Sequence, residues 1–544
     1  MKKQTPFARD ATGLVRQLGA MDSFVLNFLS MNLLGVFILG VFGIGLYPSA
    51  DMPLSIAFAI IPAIIIALTY VFLSVAMPRT GGDYVWVSRI LNPALGFMVN
   101  FGLTFILFTF IALDVVLSTE WGIGAYFYNI AVTTGSASAG NIATFLSPVP
   151  GKFTTSGWFV FGIASVFIVL VSLAVVLGLK SAFSVQKIVW VIVLIATVVY
   201  LGVAFTTPHS TFVTNFNANS GTNVTAVMNG ATQVSFSTVS TVTLSGTLLG
   251  FVYIFLNFTG FNYSAYASGE IRNNQKSQTF GMIAALLVFA GLLILIIVAT
   301  QYVFGYNLFN SMAYLFDRIF YGINPTAPYP AVLPPPMPQF LIGYLTSNPI
   351  LIFIVCIGFA LSLLVNAVSY IFVSTRNMFA WSFDRSVPDA LSRVDDRFHS
   401  PYVALIVTAV FGIVITFFTV FTTVSNFFTY ITFLFAILYT IVGIAAIAFP
   451  YRKKSIFESS PSLVKSKVGG IPVVAILGLL SVAFSVFIGY SLFTPSYSGS
   501  FVTTNFEVVI GVLVVPLFIY VISYAYRKSK GVDITLIQRE IPPE

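Results

Sequence analysis

The sequence predicts an all-α polytopic membrane protein with twelve transmembrane helices, and three observations carry that expectation. Of 544 residues, 58% are apolar and only 8% are charged, against roughly a quarter charged in a soluble protein. A mean hydropathy of +0.96 rules out any water-soluble fold that could hide so much apolar surface. Apolar runs of spanning length recur along the chain, and all but two of the 25 Lys and Arg fall in alternate connecting segments or in the span ends that adjoin them.

A bilayer core about 30 Å thick needs about 20 apolar residues at about 1.5 Å rise per residue. Twelve runs satisfy this with at most one charge each: 23–47, 54–77, 94–119, 157–178, 184–206, 244–268, 279–304, 348–374, 402–424, 426–449, 471–493 and 505–526. They are numbered here as spans 1 to 12. The stretch before span 1 is polar and the span is too long for a signal-peptide core, so no cleavage is expected. Lys and Arg are retained on the cytoplasmic side. With the N-terminus inside, only Lys152 and Arg318 lie outside. Both termini are therefore expected in the cytoplasm, in a cytoplasmic (plasma) membrane, and a slip of one helix would scramble the partition.

The outer loops differ in chemistry. Residues 206–247 contain no Lys, Arg, Asp or Glu and are rich in Ser, Thr and Asn. Asn223-Val224-Thr225 has the pattern of a glycan acceptor, although an uncharged exposed loop is the plainer reading. The loop 306–347 holds Pro334-Pro335-Pro336 and an aromatic stretch from Ser311 to Tyr321 that could lie on the outer surface as a helix, and could act as a lid.

Several function classes are excluded. A disulfide scaffold or a metal site needs more than Cys356, His209 and His399. The net charge of +8 is scattered in short loops, not clustered with aromatics, so no nucleic-acid partner is expected. Neither histidine lies in a span and no catalytic set is visible, so no enzyme and no cofactor is expected. No pore-lining polar stripe suggests a channel.

Lipid cannot hydrogen-bond a free backbone, so an unwound turn at membrane depth is tolerated only where it lines a cavity inside the protein. Ser30-Met31-Asn32-Leu33-Leu34-Gly35 in span 1 and Asn257-Phe258-Thr259-Gly260 in span 6 place polar residues and glycine in mid-span. They lie five spans apart, and a five-helix unit repeated once reverses direction, which would bring two breaks together near the midplane. Close helix packing explains small residues equally well.

Other segments carry a resemblance. Pro78-Arg79-Thr80-Gly81-Gly82-Asp83-Tyr84 resembles the Pro-Arg-Ser/Thr-Gly-Gly-x-Tyr signature of the amino acid-polyamine-organocation superfamily. Phe258-Thr259-Gly260-Phe261 followed by Glu270-Ile271-Arg272-Asn273 is similar to its span 6 pattern, with Asn274 in place of a proline. Ser374 to Ala380 and Asp384-Arg385-Ser386-Val387-Pro388 resemble its span 8 exit. The resemblance runs from about Leu14 to Pro401. It implies a five-plus-five inverted repeat with two extra helices and broken helices 1 and 6. The chain then divides into a cytoplasmic segment 1–22, a first repeat 23–206, an outer loop 207–243, a second repeat 244–449, two helices in 450–526 and a tail 527–544. The implied function is secondary transport of amino acids by alternating access, coupled to protons or sodium. A carrier of polyamines, other organic cations or nucleobases is the alternative. The family's Gly-x-Gly in span 1 is altered, with Leu33 at the first position and Gly35 at the second, which leaves fewer bare amides for a substrate carboxylate.

In a dry cavity a zwitterion's carboxylate needs amide donors and its ammonium needs carbonyls. The carboxylate is assigned to amides from Met31 to Gly35 with Ser30 or Asn32 as side-chain partners, and the ammonium to carbonyls from Leu256 to Thr259. Asn257, Phe258, Thr259, Gly260 and Phe261 then line the substrate site, the two phenylalanines shaping its side-chain pocket or gate. For coupling, an ionisable residue inside a span is a candidate by default. Asp114 and Glu120 of span 3 are about 240° apart around the helix, so they do not form a pair. Glu120, before Trp121, is expected in the outer interfacial belt, whereas Asp114 lies deeper and could bind a proton or a cationic group. The resemblance implies a cation, or a lysine on span 5, between spans 1 and 8. Counting from Gln186, the lysine position falls near Ile192. Asn366 and Ser369, with Ser362 a turn or two earlier, supply oxygens on span 8.

Overall fold

The computed structural model describes residues 14, 16–35, 41, 43–45, 47–148, 152–236, 242–320, 328–330, 333–395, 397–422, 428–491 and 503–534. Among them, eleven helices are long and apolar enough to cross a membrane. These correspond to expected spans 2 to 12. Expected span 1 falls partly outside the described residues, and its described part is α1 (Ala20–Ser30) with a few helical residues between 41 and 45.

The chain continues through α2 (Met52–Ala76), the short α3 (Asp83–Ile90) and α4 (Pro93–Thr134). Then come α5 (Thr155–Val176), α6 (Leu179–Thr206), α7 (His209–Asn219), α8 (Val224–Gln233) and α9 (Leu244–Phe255). After an irregular stretch follow α10 (Asn274–Phe304), α11 (Tyr306–Phe320) and α12 (Pro349–Phe383). The remainder is α13 (Tyr402–Phe421), α14 (Phe428–Arg452), α15 (Val473–Ser491) and α16 (Thr503–Ser529).

The sequence punctuates the starts of these helices. Asn92 and Asn348 each precede a proline at the first helical position, and each accepts from backbone amides of its own first turn, Ala94 N at 2.9 Å and Ile350 N at 2.9 Å. That combination satisfies an orphan donor and uses a residue that has none to lose. The most apolar stretch of α4 is 72% buried and that of the α9 region 71%, while those of α5 and α16 are only 28% and 22% buried. Trp158, Leu170 and Leu173 of α5, and Phe518, Val521 and Ile522 of α16, are exposed large apolar residues. Such faces suit hydrocarbon, so α4, α9 and α12 form the centre and α5 and α16 the rim.

The helix of span 3 runs past the apolar run that ends near residue 119. It passes through a π-helical turn, Ser118–Ile123, which holds the partly buried Glu120, and continues to Thr134. One expectation is corrected. The outer loop 207–243 is not simply an exposed loop, because α7 and α8 fold over the bundle and bury Phe212, Phe216 and Val227 completely. Asn223 is exposed and caps α8, its Oδ1 accepting from Ala226 N at 2.8 Å. In the other outer loop, α11 covers most of the aromatic stretch expected to be helical, and it buries Asp317 to 1% exposure against Gly45.

Candidate functional site

The first helix stops at Ser30 because Asn32 takes φ of +56°, a left-handed conformation that asparagine tolerates better than most residues. Its side chain then holds the turn. Asn32 Oδ1 accepts from Gly35 N at 3.1 Å and from Ser362 Oγ of α12 at 2.5 Å. Ser30 Oγ is turned back onto Leu26 O at 2.6 Å. Among the described residues, the amides of Leu33 and Leu34 find no backbone acceptor. Met31 is buried at 1% exposure.

The second interruption follows α9. The chain tightens into a 3₁₀ turn over Leu256–Phe258, extends at Thr259 with ψ of 135°, and turns left-handed at Gly260 with φ of +105°. Thr259 Oγ1 returns to Leu256 O at 2.7 Å. Beyond it only short 3₁₀ turns, Tyr263–Tyr266 and Ser268–Glu270, continue the segment.

The two interruptions meet. A Cβ placed on Gly260 would lie 2.5 Å from Ser30 O and 2.7 Å from its carbonyl carbon, so only glycine permits this approach. Asn257 is 1% exposed, and among the described residues neither its Oδ1 nor its Nδ2 has a hydrogen-bond partner. Such a group calls for an explanation in a native fold, and a bound polar solute is one. Phe258 packs edge-on to Phe289 at 5.9 Å and Phe261 stacks on Tyr439 at 6.0 Å, both fully buried. They form apolar walls with no exposed face.

The expected coupling residues separate into two groups. Asn366 faces Asp114 across the α4–α12 interface and donates from Nδ2 to Tyr370 Oη at 2.8 Å. Among the described residues, Asp114 Oδ2 and Asn366 Oδ1 have no hydrogen-bond partner. Ser369 does not join them; its Oγ accepts from Gln186 Nε2 of α6 at 3.0 Å. Ser362 is one turn from Asn366 and touches Asn32, so α12 carries the polar contacts of both the broken helix and the buried carboxylate.

Sequence reasoning missed the ionic framework near the N-terminal segment. Arg376 forms a bidentate pair with Glu270 at 2.9 and 3.0 Å and lies over the Phe372 ring at 4.1 Å. Arg89 pairs with Asp384 at 2.6 Å, and both pairs are almost wholly buried. The amides of Gln17 and Leu18 donate to Glu270 O at 2.9 and 3.0 Å, while Asn27 Nδ2 reaches Ser264 Oγ at 3.0 Å. Glu270, Arg376 and Asp384 stand inside the quoted motifs, and Arg89 follows the first of them by five residues. The available signal was that a charge-poor chain retains opposite charges next to its span ends.

A family model described as amino acid permease matches residues 18–519. Over 235 residues the chain is 23% identical to the branched-chain amino acid permease BcaP of Lactococcus lactis subsp. cremoris, a match covering 41% of this chain and 42% of that protein.

Proposed function

As the chain belongs to the amino acid permease family, we propose that it carries amino acids across the cytoplasmic membrane by alternating access, with proton coupling at Asp114. The observation that carries this reading is the contact of Gly260 with the Ser30 carbonyl beside the unpartnered Asn257. Two interrupted main chains in one dry place offer what a zwitterion needs. The amides of Leu33 and Leu34 take the substrate carboxylate, and the α9 end from Leu256 to Thr259 takes the ammonium at the negative end of that helix's dipole. Asn257 supplies a side-chain donor and acceptor.

The walls set the substrate class. Met31, Phe258 and Phe261 are buried and apolar, so an amino acid with an apolar side chain fits and a polyamine lacks partner charges. The relative's branched-chain specificity accords with this. Coupling through a proton is favoured because the buried Asp114 has one free oxygen, and Asn366 presents another beside it. Both termini lie in the cytoplasm, as the Lys and Arg distribution supports.

Uptake of labelled leucine into proteoliposomes, with and without an inward proton gradient in sodium-free buffer, tests the reading. Gradient-dependent accumulation is expected. Accumulation that requires sodium would replace the proton assignment, and absence of uptake for every amino acid would overturn the function.

A further inference from the structure

Asn32 sits where the substrate carboxylate is assigned, and its own side chain already uses part of what that group needs. With its left-handed backbone, φ of +56°, the carboxamide folds back over the turn. A Cβ on Gly35 would collide with Asn32 Nδ2 and lie 2.6 Å from Cγ and 2.7 Å from Oδ1, so a glycine at 35 makes room for it. Oδ1 accepts from Gly35 N at 3.1 Å and from Ser362 Oγ of α12 at 2.5 Å. Asn32 is 6% exposed and Ser362 1%, so both bonds are shielded from water.

Two donors thus converge on one trigonal oxygen. Beside them, among the described residues, the amides of Leu33 and Leu34 have no backbone acceptor. A carboxylate has lone pairs for all four, whereas the carboxamide has one oxygen and no net charge. Hydrogen bonds to an ionised acceptor are roughly twice as strong as neutral ones. A carboxylate that enters against Leu33 and Leu34 therefore outcompetes the carboxamide for Gly35 N and Ser362 Oγ.

We propose that the Asn32 carboxamide is an internal stand-in for the substrate carboxylate, holding Gly35 N and Ser362 Oγ in the empty transporter and yielding them when an amino acid binds. The proposal rests on the transport reading above and deepens it, because Asn32 becomes a positioning residue that sets affinity by competition. In the empty protein its side chain joins the turn after α1 to α12. In the loaded protein the carboxylate bridges the same two elements, one turn from Asn366. A primary amine of the same shape offers these donors nothing and leaves Asn32 in place, so the device selects for the carboxylate.

Binding of leucine to the purified full-length protein, and of isopentylamine by competition against labelled leucine, tests the displacement. Asn32→Gly keeps a residue that accepts the left-handed turn and removes the carboxamide. It should tighten leucine about threefold to tenfold, the worth of a hydrogen bond that no longer has to be broken, and leave isopentylamine within about twofold of wild type. Ser362→Ala removes a donor that the charged carboxylate uses better than the carboxamide does. It should weaken leucine at least about threefold with isopentylamine again unchanged, and it decides the question if Asn32→Gly fails to fold. Leucine that binds Asn32→Gly no more tightly than wild type, or a shift of the same factor for both ligands in either variant, overturns the proposal. Leucine bound equally by all three proteins would overturn the displacement and leave the transport reading standing. Leucine bound by none of them would overturn both.

Discussion

Replacing Gly260 by alanine adds one methyl group at the place where the two interrupted helices touch. That carbon would meet Ser30 O at 2.5 Å, Ser30 C at 2.7 Å and Ser30 Cβ at 2.8 Å. Two of the three are main-chain atoms and cannot rotate away. An L-residue held left-handed at this position costs about 1–2 kcal/mol. Displacing packed neighbours adds about 1–3 kcal/mol. Together about 2–5 kcal/mol falls on the geometry of the site, which corresponds to about thirtyfold to several thousandfold in rate. Uptake of labelled leucine into proteoliposomes, normalised to inserted protein, should drop by at least about thirtyfold in Gly260→Ala and vanish in Gly260→Leu. Gly291→Ala in α10 is the control, because nothing lies within 4 Å of its added carbon. Uptake within about twofold of wild type in both Gly260 variants would refute the reasoning.

Asp114→Asn should change the pH dependence of uptake, since it fixes the neutral form of the carboxyl; an unchanged profile would leave the residue a structural role only. Asn257→Leu removes a buried amide without a partner and should raise the thermal midpoint of the empty protein by roughly 1–3 kcal/mol of stability while abolishing the shift produced by substrate; a retained ligand shift would remove Asn257 from the site. Burial holds the Asp317 carboxyl well above the ordinary aspartate range, with Arg318 only partly opposing it. Its folded-state value exceeds the unfolded one, so its contribution to stability is complete below the unfolded value of about 3.9 and is lost as pH rises through the folded value. Thermal midpoints should therefore decline more steeply with rising pH in the wild type than in Asp317→Asn, and parallel curves would contradict this.

The eleven spanning helices were legible because hydrocarbon thickness imposes a minimum length on every span, and each of them overlaps an expected run. The largest departures are α12, which continues to Phe383, and α4, which continues to Thr134. Its continuation, Gly124-Ala125-Tyr126-Phe127-Tyr128-Asn129, mixes glycine and polar residues, so hydropathy falls while the helix persists. It is held by tertiary contacts such as Asn129 Nδ2 to Gln339 O at 2.7 Å and Tyr128 Oη to Tyr344 Oη at 2.7 Å, which no local pattern encodes. Glycine and asparagine in mid-span pointed to Ser30–Gly260 because their backbone freedom is a local property. The pairing of Glu270 with Arg376 and the hydrogen bond from Tyr266 to Asp83 join residues 106 and 183 positions apart respectively. Spacing alone could not join them.

The central claim is that two interrupted helices share one solute site. An experimental structure with a bound amino acid tests it most directly. The account predicts the α-carboxylate against the amides between Met31 and Gly35, the ammonium against the carbonyls between Leu256 and Thr259, and Asn257 within hydrogen-bonding distance. A ligand bound elsewhere, or an unbroken helical hydrogen-bond ladder through Asn32 or Gly260, would contradict it.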